Sequence, residues 1–385
     1  MHTTKLGAAA AKDAGNHEQP AAAGAILFVT ELGRWVINSD GSGLQQFTHL
    51  KVDGDRPLGA WSPDGNKVAY VDYRRLEGDP LLHPNVWVKN IDGGVMPLTS
   101  KSYRTFYNLT WSLDGHKLAA ASQRTAFDEN KQIKYLSNDI FMVNADGSGE
   151  TPLLELADPN IHFQSLSWSP DGRKLAFLLN RSVGGDDWHK GMTQNIWVMD
   201  ADGSHAIPLT KLTENYPRIQ EMAWSPDSQR VTYISSRALD GSDAGGRGSN
   251  IWVANADGSS SFPLTRFKHE SINAFSWSPD GSRLTFSSTE SLDGSDKDYN
   301  VNVWVMKTDG SAPVPLTHET KFERSNDRTA WSPHGSLIAF VSCINSTSAK
   351  PRQPFSDCKL SVMKEDGTGA RQLTEQNVLL FQWRR

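Results

Sequence analysis

Short apolar runs of about five or six residues recur along almost the whole chain, separated by clusters of Ser, Pro, Asp and Gly. Between residues 160 and 210 they are Phe163–Trp168, Lys174–Leu179, Asn195–Asp200 and Ala206–Thr210. That is the typical length of a β-strand. Runs such as Lys-Leu-Ala-Phe-Leu-Leu from Lys174 and Ile-Trp-Val-Met from Ile196 are apolar without strict alternation. The pattern predicts strands covered on both faces. Between the first and second runs stands Ser169-Pro-Asp-Gly. Pro presets φ, Ser and Asp bond nearby backbone, and Gly accepts the left-handed exit, which suits a type I turn.

The four-run unit repeats. Its first half ends in Trp followed by a turn at Trp61, Trp111, Trp168, Trp224, Trp277 and Trp331. Its second half ends in Asp-Gly at Asp40, Asp92, Asp146, Asp202, Asp257, Asp309 and Asp366, often with Pro-Leu-Thr after it. Both series step by 50 to 57 residues. Four strands per such period is a propeller blade, and seven copies predict a seven-bladed, all-β propeller. The chain opens on Ile26-Leu-Phe-Val-Thr, which matches a second strand, and closes on Val378-Leu-Leu-Phe-Gln-Trp383, which matches a first strand. Pairing of the C-terminal strand with the N-terminal blade is therefore expected to close the ring. Residues 1–24 are Ala- and Gly-rich without period and read as a disordered tail, with 25–385 as one propeller domain.

Twelve of the thirteen tryptophans fall into two registers. Seven end the first strand, at 61, 111, 168, 224, 277, 331 and 383. Five lie five residues before the repeated Asp, at 35, 87, 197, 252 and 304, with Phe141 and Ser361 filling the register in the other blades. These read as packing between blades. Trp188 alone lies outside both registers.

The pattern Trp-Ser-Pro-Asp-Gly…Ile-Trp-Val-Met…Asp-Gly-Ser…Pro-Leu-Thr resembles the TolB-type repeat, a WD40-like PD40 unit, over residues 25–383. The resemblance implies a binding propeller of bacterial, exported type. TolB proteins carry an extra N-terminal domain that is not seen here, so membership of the Tol–Pal system is not implied.

Net charge is -5, with 22% charged residues, which gives no basic excess to attract nucleic acid. No apolar run approaches the roughly 20 residues that span a bilayer. The expected compartment is the periplasm or outside the cell, with the cytoplasm as the open alternative, and the expected state is a monomer.

In an antiparallel blade, the second-to-third and fourth-to-first connections emerge on one face. Here they are long and differ from blade to blade, whereas the other face carries uniform tight turns. Variable loops on a rigid body mark a binding face, although neutral drift would produce the same pattern. The candidates there are Arg56, Tyr107, His162, Trp188, Arg218, Asp327 and Arg328, joined around the channel mouth by Asp55, Arg104, Glu221 and Arg324. Mixed Arg, His and carboxylate side chains suit a polar or acidic ligand, or equally a solvated rim of internal ion pairs. A protein or peptide partner is the leading expectation and an acidic oligosaccharide the second. Asp240, Asp243, Asp293 and Asp296, in two Leu-Asp-Gly-Ser-Asp segments, suit Ca²⁺ or simple Asx-turns; no other cofactor is expected. Cys343 and Cys358, the only cysteines, flank one hairpin and are either bridged or two buried thiols.

No Gly-x-Ser-x-Gly elbow, His-Glu-x-x-His pair or phosphate loop opening a helix is present, and no hydrolase-sized segment follows the repeats. The expectation is a non-catalytic platform. The enzymatic alternative comes from resemblance: oligogalacturonate-type lyases are also seven-bladed propellers that bind acidic sugars and take a proton beside the carboxylate. His162, Gln164, Tyr107, Arg56 and Arg218 would be the candidates for that chemistry.

Overall fold

The chain forms seven four-stranded antiparallel sheets, each a blade, arranged as a β-propeller. This computed structural model describes residues 24–48, 59–73, 84–99, 104–127, 133–158, 160–182, 192–213, 218–239, 245–267, 271–290, 300–319, 324–344 and 357–384. Blade 4 shows the plan: Ile161–Trp168 innermost, then Lys174–Ser182, Met192–Asp200 and the outer Ile207–Pro208. The inner three strands are longer than the apolar runs predicted, and the outer one is shorter. The outer strand is an edge, and Pro208 has no N–H with which to extend the ladder.

The ring closes as the termini predicted. Leu380–Trp383 pairs with Ala25–Thr30, Ile26 opposite Trp383 and Val29 opposite Leu380. Blade 1 is therefore built from both ends of the chain. Arg384 extends the link: its guanidinium donates to Asn66 Oδ1 of blade 2 at 3.0 Å.

The core lies between blades, not within them. Each of the seven junctions has its own apolar cluster among the described residues. Blades 4 and 5, for example, share Leu178, Ile196 and Val198 with Trp224, Tyr233 and Trp252. Such faces are apolar on both sides of each sheet, which is why the runs do not alternate. First-strand tryptophans reach back one blade: the indoles of Trp111 and Trp224 donate to the carbonyls of Ala60 and Ser167, at 3.0 and 3.2 Å. Third-strand tryptophans stack on the residue opposite them, Trp35 on Phe28, Trp197 on Phe177 and Trp304 on Phe286, with rings 6.3 to 6.5 Å apart.

The turn motifs are cross-braced. Ser278 Oγ donates to Asp280 Oδ1 at 2.6 Å and accepts the Arg283 N–H at 2.9 Å. Gly281, at φ 70°, closes the turn with its N–H on the Ser278 carbonyl. The Pro-Leu-Thr motif has a further role, paired with an Asn of the third strand. Thr265 Oγ1 accepts the Ile251 N–H and donates to Asn250 Oδ1, both at 2.9 Å. Asn85/Thr99, Asn195/Thr210 and Asn302/Thr317 repeat the clamp.

Candidate functional site: a bulged belt in the central channel

The innermost strands line the channel, and five of them depart from regular pairing within one residue of the same level. In blades 3 to 7 the register against the second strand slips between Phe106 and Asn108, Phe163 and Ser165, Ile219 and Met222, Ile272 and Ala274, and Asp327 and Thr329. Each slip is one extra residue, a β-bulge.

The cause is legible in the side chains. Five and two residues before each Trp stand Phe106 and Leu109, Phe163 and Leu166, Ile219 and Met222, Ile272 and Phe275, Asn326 and Thr329. All are buried except Met222, which packs against the cluster between blades 4 and 5. Residues three apart on a regular strand face opposite ways. The bulge brings both onto the blade junction. It leaves the two polar residues between them at the channel: Tyr107 and Asn108, Gln164 and Ser165, Gln220 and Glu221, Asp327 and Arg328, with Asn273 and Ala274 in blade 6.

This belt borders two cavities. One, of about 440 Å³, is lined by Gln220, Glu221, Asn273, Arg328 and Phe381 among others. The other, of about 340 Å³, lies toward the Trp ends of the strands and includes Asn108, Ser167 and Gln382. The closing strand thus contributes to both, through Phe381 and Gln382. Ring closure builds the site as well as the fold.

Glu221 is the most perturbed acid described. Burial pushes its carboxyl up to about 7; the Phe275 N–H donating to Oε2 at 3.3 Å and the Arg328 charge oppose the shift, and Asp327 adds to it. Arg328 holds a left-handed φ of 47°, unusual for a residue with a side chain, while its N–H donates to Asp327 Oδ1 at 2.8 Å. Backbone strain of this kind persists where surrounding structure enforces it, often at binding sites.

The sequence candidates divide accordingly. Tyr107 and His162 meet edge-to-face across blades 3 and 4, ring centroids 6.3 Å apart. Asp327 and Arg328 sit together on the blade 7 bulge. Arg218 is exposed just ahead of the blade 5 strand, its N–H donating to Ser236 Oγ. Arg104 was expected at the rim and is instead buried, 7% exposed. It shares the junction face with Phe106, pairs with Asp139 at 3.1 Å and Glu150 at 2.8 Å, and lies over the Phe141 ring. Gln164 accepts from the Asn180 and Gln194 amides, so its carbonyl is engaged within its own blade. Arg56, Trp188, Asp240, Asp243, Asp293 and Asp296 lie outside the described residues. No cluster of metal-ligating side chains occurs among those described. Cys343 and Cys358 stand opposite each other in the blade 7 hairpin with their sulfurs bonded.

The belt itself, and Gln220, Glu221 and Asn273 as one site, escaped the sequence reading except for Glu221 at the rim. The signal was present in three strands: apolar, polar, polar, apolar from five to two residues before Trp111, Trp168 and Trp224.

Comparison with known proteins supports the architecture. The repeat family described as "WD domain, G-beta repeat" matches residues 261–304. The chain is a β-propeller with WD-like repeats. An uncharacterized peptidase, YuxL of Bacillus subtilis (strain 168), is 34% identical over 100 residues, 26% of this chain and 13% of that protein. The chain thus matches only a small part of that relative's length. Among solved structures, a puromycin hydrolase S511A mutant complexed with PGG superposes at a TM-score of 0.64 and 13% identity, over 94% of this chain and 54% of that one. An oligogalacturonate lyase in complex with manganese superposes at 0.57 and 16% identity, over 83% and 76%. At such identities the likeness is one of fold.

Proposed function

We propose that this propeller is a non-catalytic binding platform, with the bulged belt as its recognition site for a polar peptide segment of a partner protein. The observation that carries this reading is the repetition of a bulge, within one residue of the same level, in five adjacent blades. Each bulge places amide, carboxylate, guanidinium or phenol groups on the channel wall. Glu221 suits a donor from the ligand, and Arg328 an acceptor; amides at Gln220 and Asn273 supply both.

The narrower TolB-type assignment and an exported location belong to the same proposal. The Cys343–Cys358 bond supports an oxidising compartment, where such bonds persist.

The test is selection of a displayed peptide library on the immobilised full chain, repeated on a Glu221→Leu, Asn273→Leu variant. Peptides recovered on the native chain should lose binding to the variant. Equal recovery on both would move the site elsewhere.

A lyase acting on acidic oligosaccharides is the second reading, favoured by the approach of Tyr107 to His162. Polygalacturonate incubated with the protein would then gain absorbance from unsaturated product, and His162→Ala would abolish the gain. No gain with the native chain removes this reading.

A further inference from the structure

Four polar side chains of the belt border one cavity and leave most of their bonding capacity unused. Gln220 and Glu221 come from blade 5, Asn273 from blade 6 and Arg328 from blade 7, and Phe381 of the closing strand joins them around a space of about 440 Å³. Ligand pockets occupy about 300–1,000 Å³. Gln220, Asn273 and Arg328 are exposed to the channel. Among the described residues, neither amide and no nitrogen of the Arg328 guanidinium makes a hydrogen bond or ion pair. Glu221 accepts one main-chain N–H, from Phe275, at 3.3 Å. That is beyond the usual span of about 2.7–3.2 Å.

The two opposite charges stand near each other without pairing. The Arg328 guanidinium is close enough to pull the Glu221 carboxyl downward against its burial, yet no ion pair joins them. Blade 6 lies between their strands and places the Asn273 amide between the two groups. Arg328 leaves its strand from a left-handed backbone, φ 47°, whose N–H is held by Asp327 Oδ1 at 2.8 Å. The same oxygen accepts the Ser287 hydroxyl of blade 6 at 3.3 Å. The blade 7 bulge thus fixes the direction from which the guanidinium enters the channel. An enclosed charge without a partner is costly, so this arrangement suits partners brought by a ligand.

We propose, on the reading of the belt as a peptide site, that the bound segment carries a charge pair of its own, with a Lys or Arg side chain on Glu221 and an Asp or Glu side chain on Arg328. The Gln220 and Asn273 amides each offer N–H donors and a carbonyl acceptor to the main chain between those two residues. Charge-assisted bonds of this kind are the stronger ones. A segment with a single charge leaves the other channel group unpaired, so the two contacts together select as well as bind. Burial raises the Glu221 carboxyl to about 7, and an incoming cation favours its ionised form. Asp327, which also raises that carboxyl, adds negative potential on the same side.

The probes are acetylated, amidated glycine peptides with one Lys and one Glu, in either order, separated by zero, one or two glycines. Each is compared with counterparts in which Gln replaces Lys, Glu or both. Binding to the full chain is followed by calorimetry at pH 8. The best Lys/Glu peptide should bind about tenfold or more tightly than either single-charge counterpart, the scale of one charge-assisted hydrogen bond. Glu221→Gln should erase the preference for Lys and keep that for Glu. Arg328→Asn, whose side chain tolerates the left-handed backbone, should do the reverse. The preference that each variant retains shows that its channel is intact. Failure of every Lys/Glu peptide to outbind its Gln counterparts overturns the proposal, as does a variant that loses both preferences or neither. The displayed-library selection separates this failure from that of the platform. Belt-dependent peptides without a charge pair refute the pairing and leave the platform standing, whereas absence of any belt-dependent peptide removes both.

Discussion

The indole N–H of Trp383 donates to the main-chain carbonyl of Ala330 at 3.0 Å. It carries the interblade tryptophan contact across the seam where the chain ends meet. Trp383 is 6% exposed and belongs to the cluster joining blades 7 and 1, with Ile26, Phe28 and Val341. Trp383→Ala should cost about 3–5 kcal/mol in denaturant unfolding, the range for a buried aromatic truncated to Ala. Removal of residues 377–385 should abolish the single cooperative transition, because blade 1 then loses its innermost strand. Cooperative unfolding of the truncated chain at an unchanged midpoint would contradict this account of closure.

Glu221 makes stability depend on pH in an unusual direction. A carboxyl raised from 4.5 to about 7 binds its proton more tightly in the folded state than in the unfolded one. Its contribution is therefore full below about pH 4.5 and is lost as pH climbs toward 7. Glu221→Gln removes the titration. The variant should flatten that part of the urea-midpoint profile and gain on the order of 1–3 kcal/mol over the native chain at pH 8. An identical slope in both proteins would show that burial does not perturb this acid.

The turn aspartates act in the opposite sense. Asp280 is held down at about 2, first by the Ser278 hydroxyl and then by the Ser282 hydroxyl and N–H. A depressed carboxyl stabilises above its ordinary pKa of 3.8, and that contribution fades as pH falls toward 2. Ser278→Ala deletes the strongest of these bonds. The Asp280 titration followed by NMR should move upward toward the ordinary carboxylate value; an unmoved titration would mean that the brace does not form in solution.

The Asn–Thr clamps predict a local cost. Thr265→Val keeps the shape but leaves the buried Ile251 N–H without the hydroxyl that accepts it. An unpaired buried donor costs about 1–3 kcal/mol, so thermal unfolding should shift down accordingly. Thr265→Ser, which retains the hydroxyl, should recover most of the loss.

The bond between Cys343 and Cys358 spans 15 positions. Closing a loop of that size restricts the unfolded chain by about 3 kcal/mol in the entropic account. Reduction, or a Cys343→Ser, Cys358→Ser double change, should lower the melting temperature. Unfolding without reductant should expose no thiol to alkylation, and two reactive thiols would refute the bridge.

Much of this molecule was legible in its amino-acid order. The strands, the blade period, the seven-fold count and the C-terminal closure follow from Trp and Asp-Gly registers, because each repeat must bury the same faces. Placement of the chemistry followed less well. Arg104 reads as a rim residue beside Tyr107, yet alternation turns it onto the face of Phe106, where Asp139 and Glu150 neutralise it.

What the chain determined alone is the propeller, since hydrophobic period and turn chemistry are local properties repeated in every unit. The tertiary structure decided which polar groups meet. Glu221, Asn273 and Arg328 lie on three separate blades and converge only because the ring closes and their three inner strands bulge within one residue of the same level.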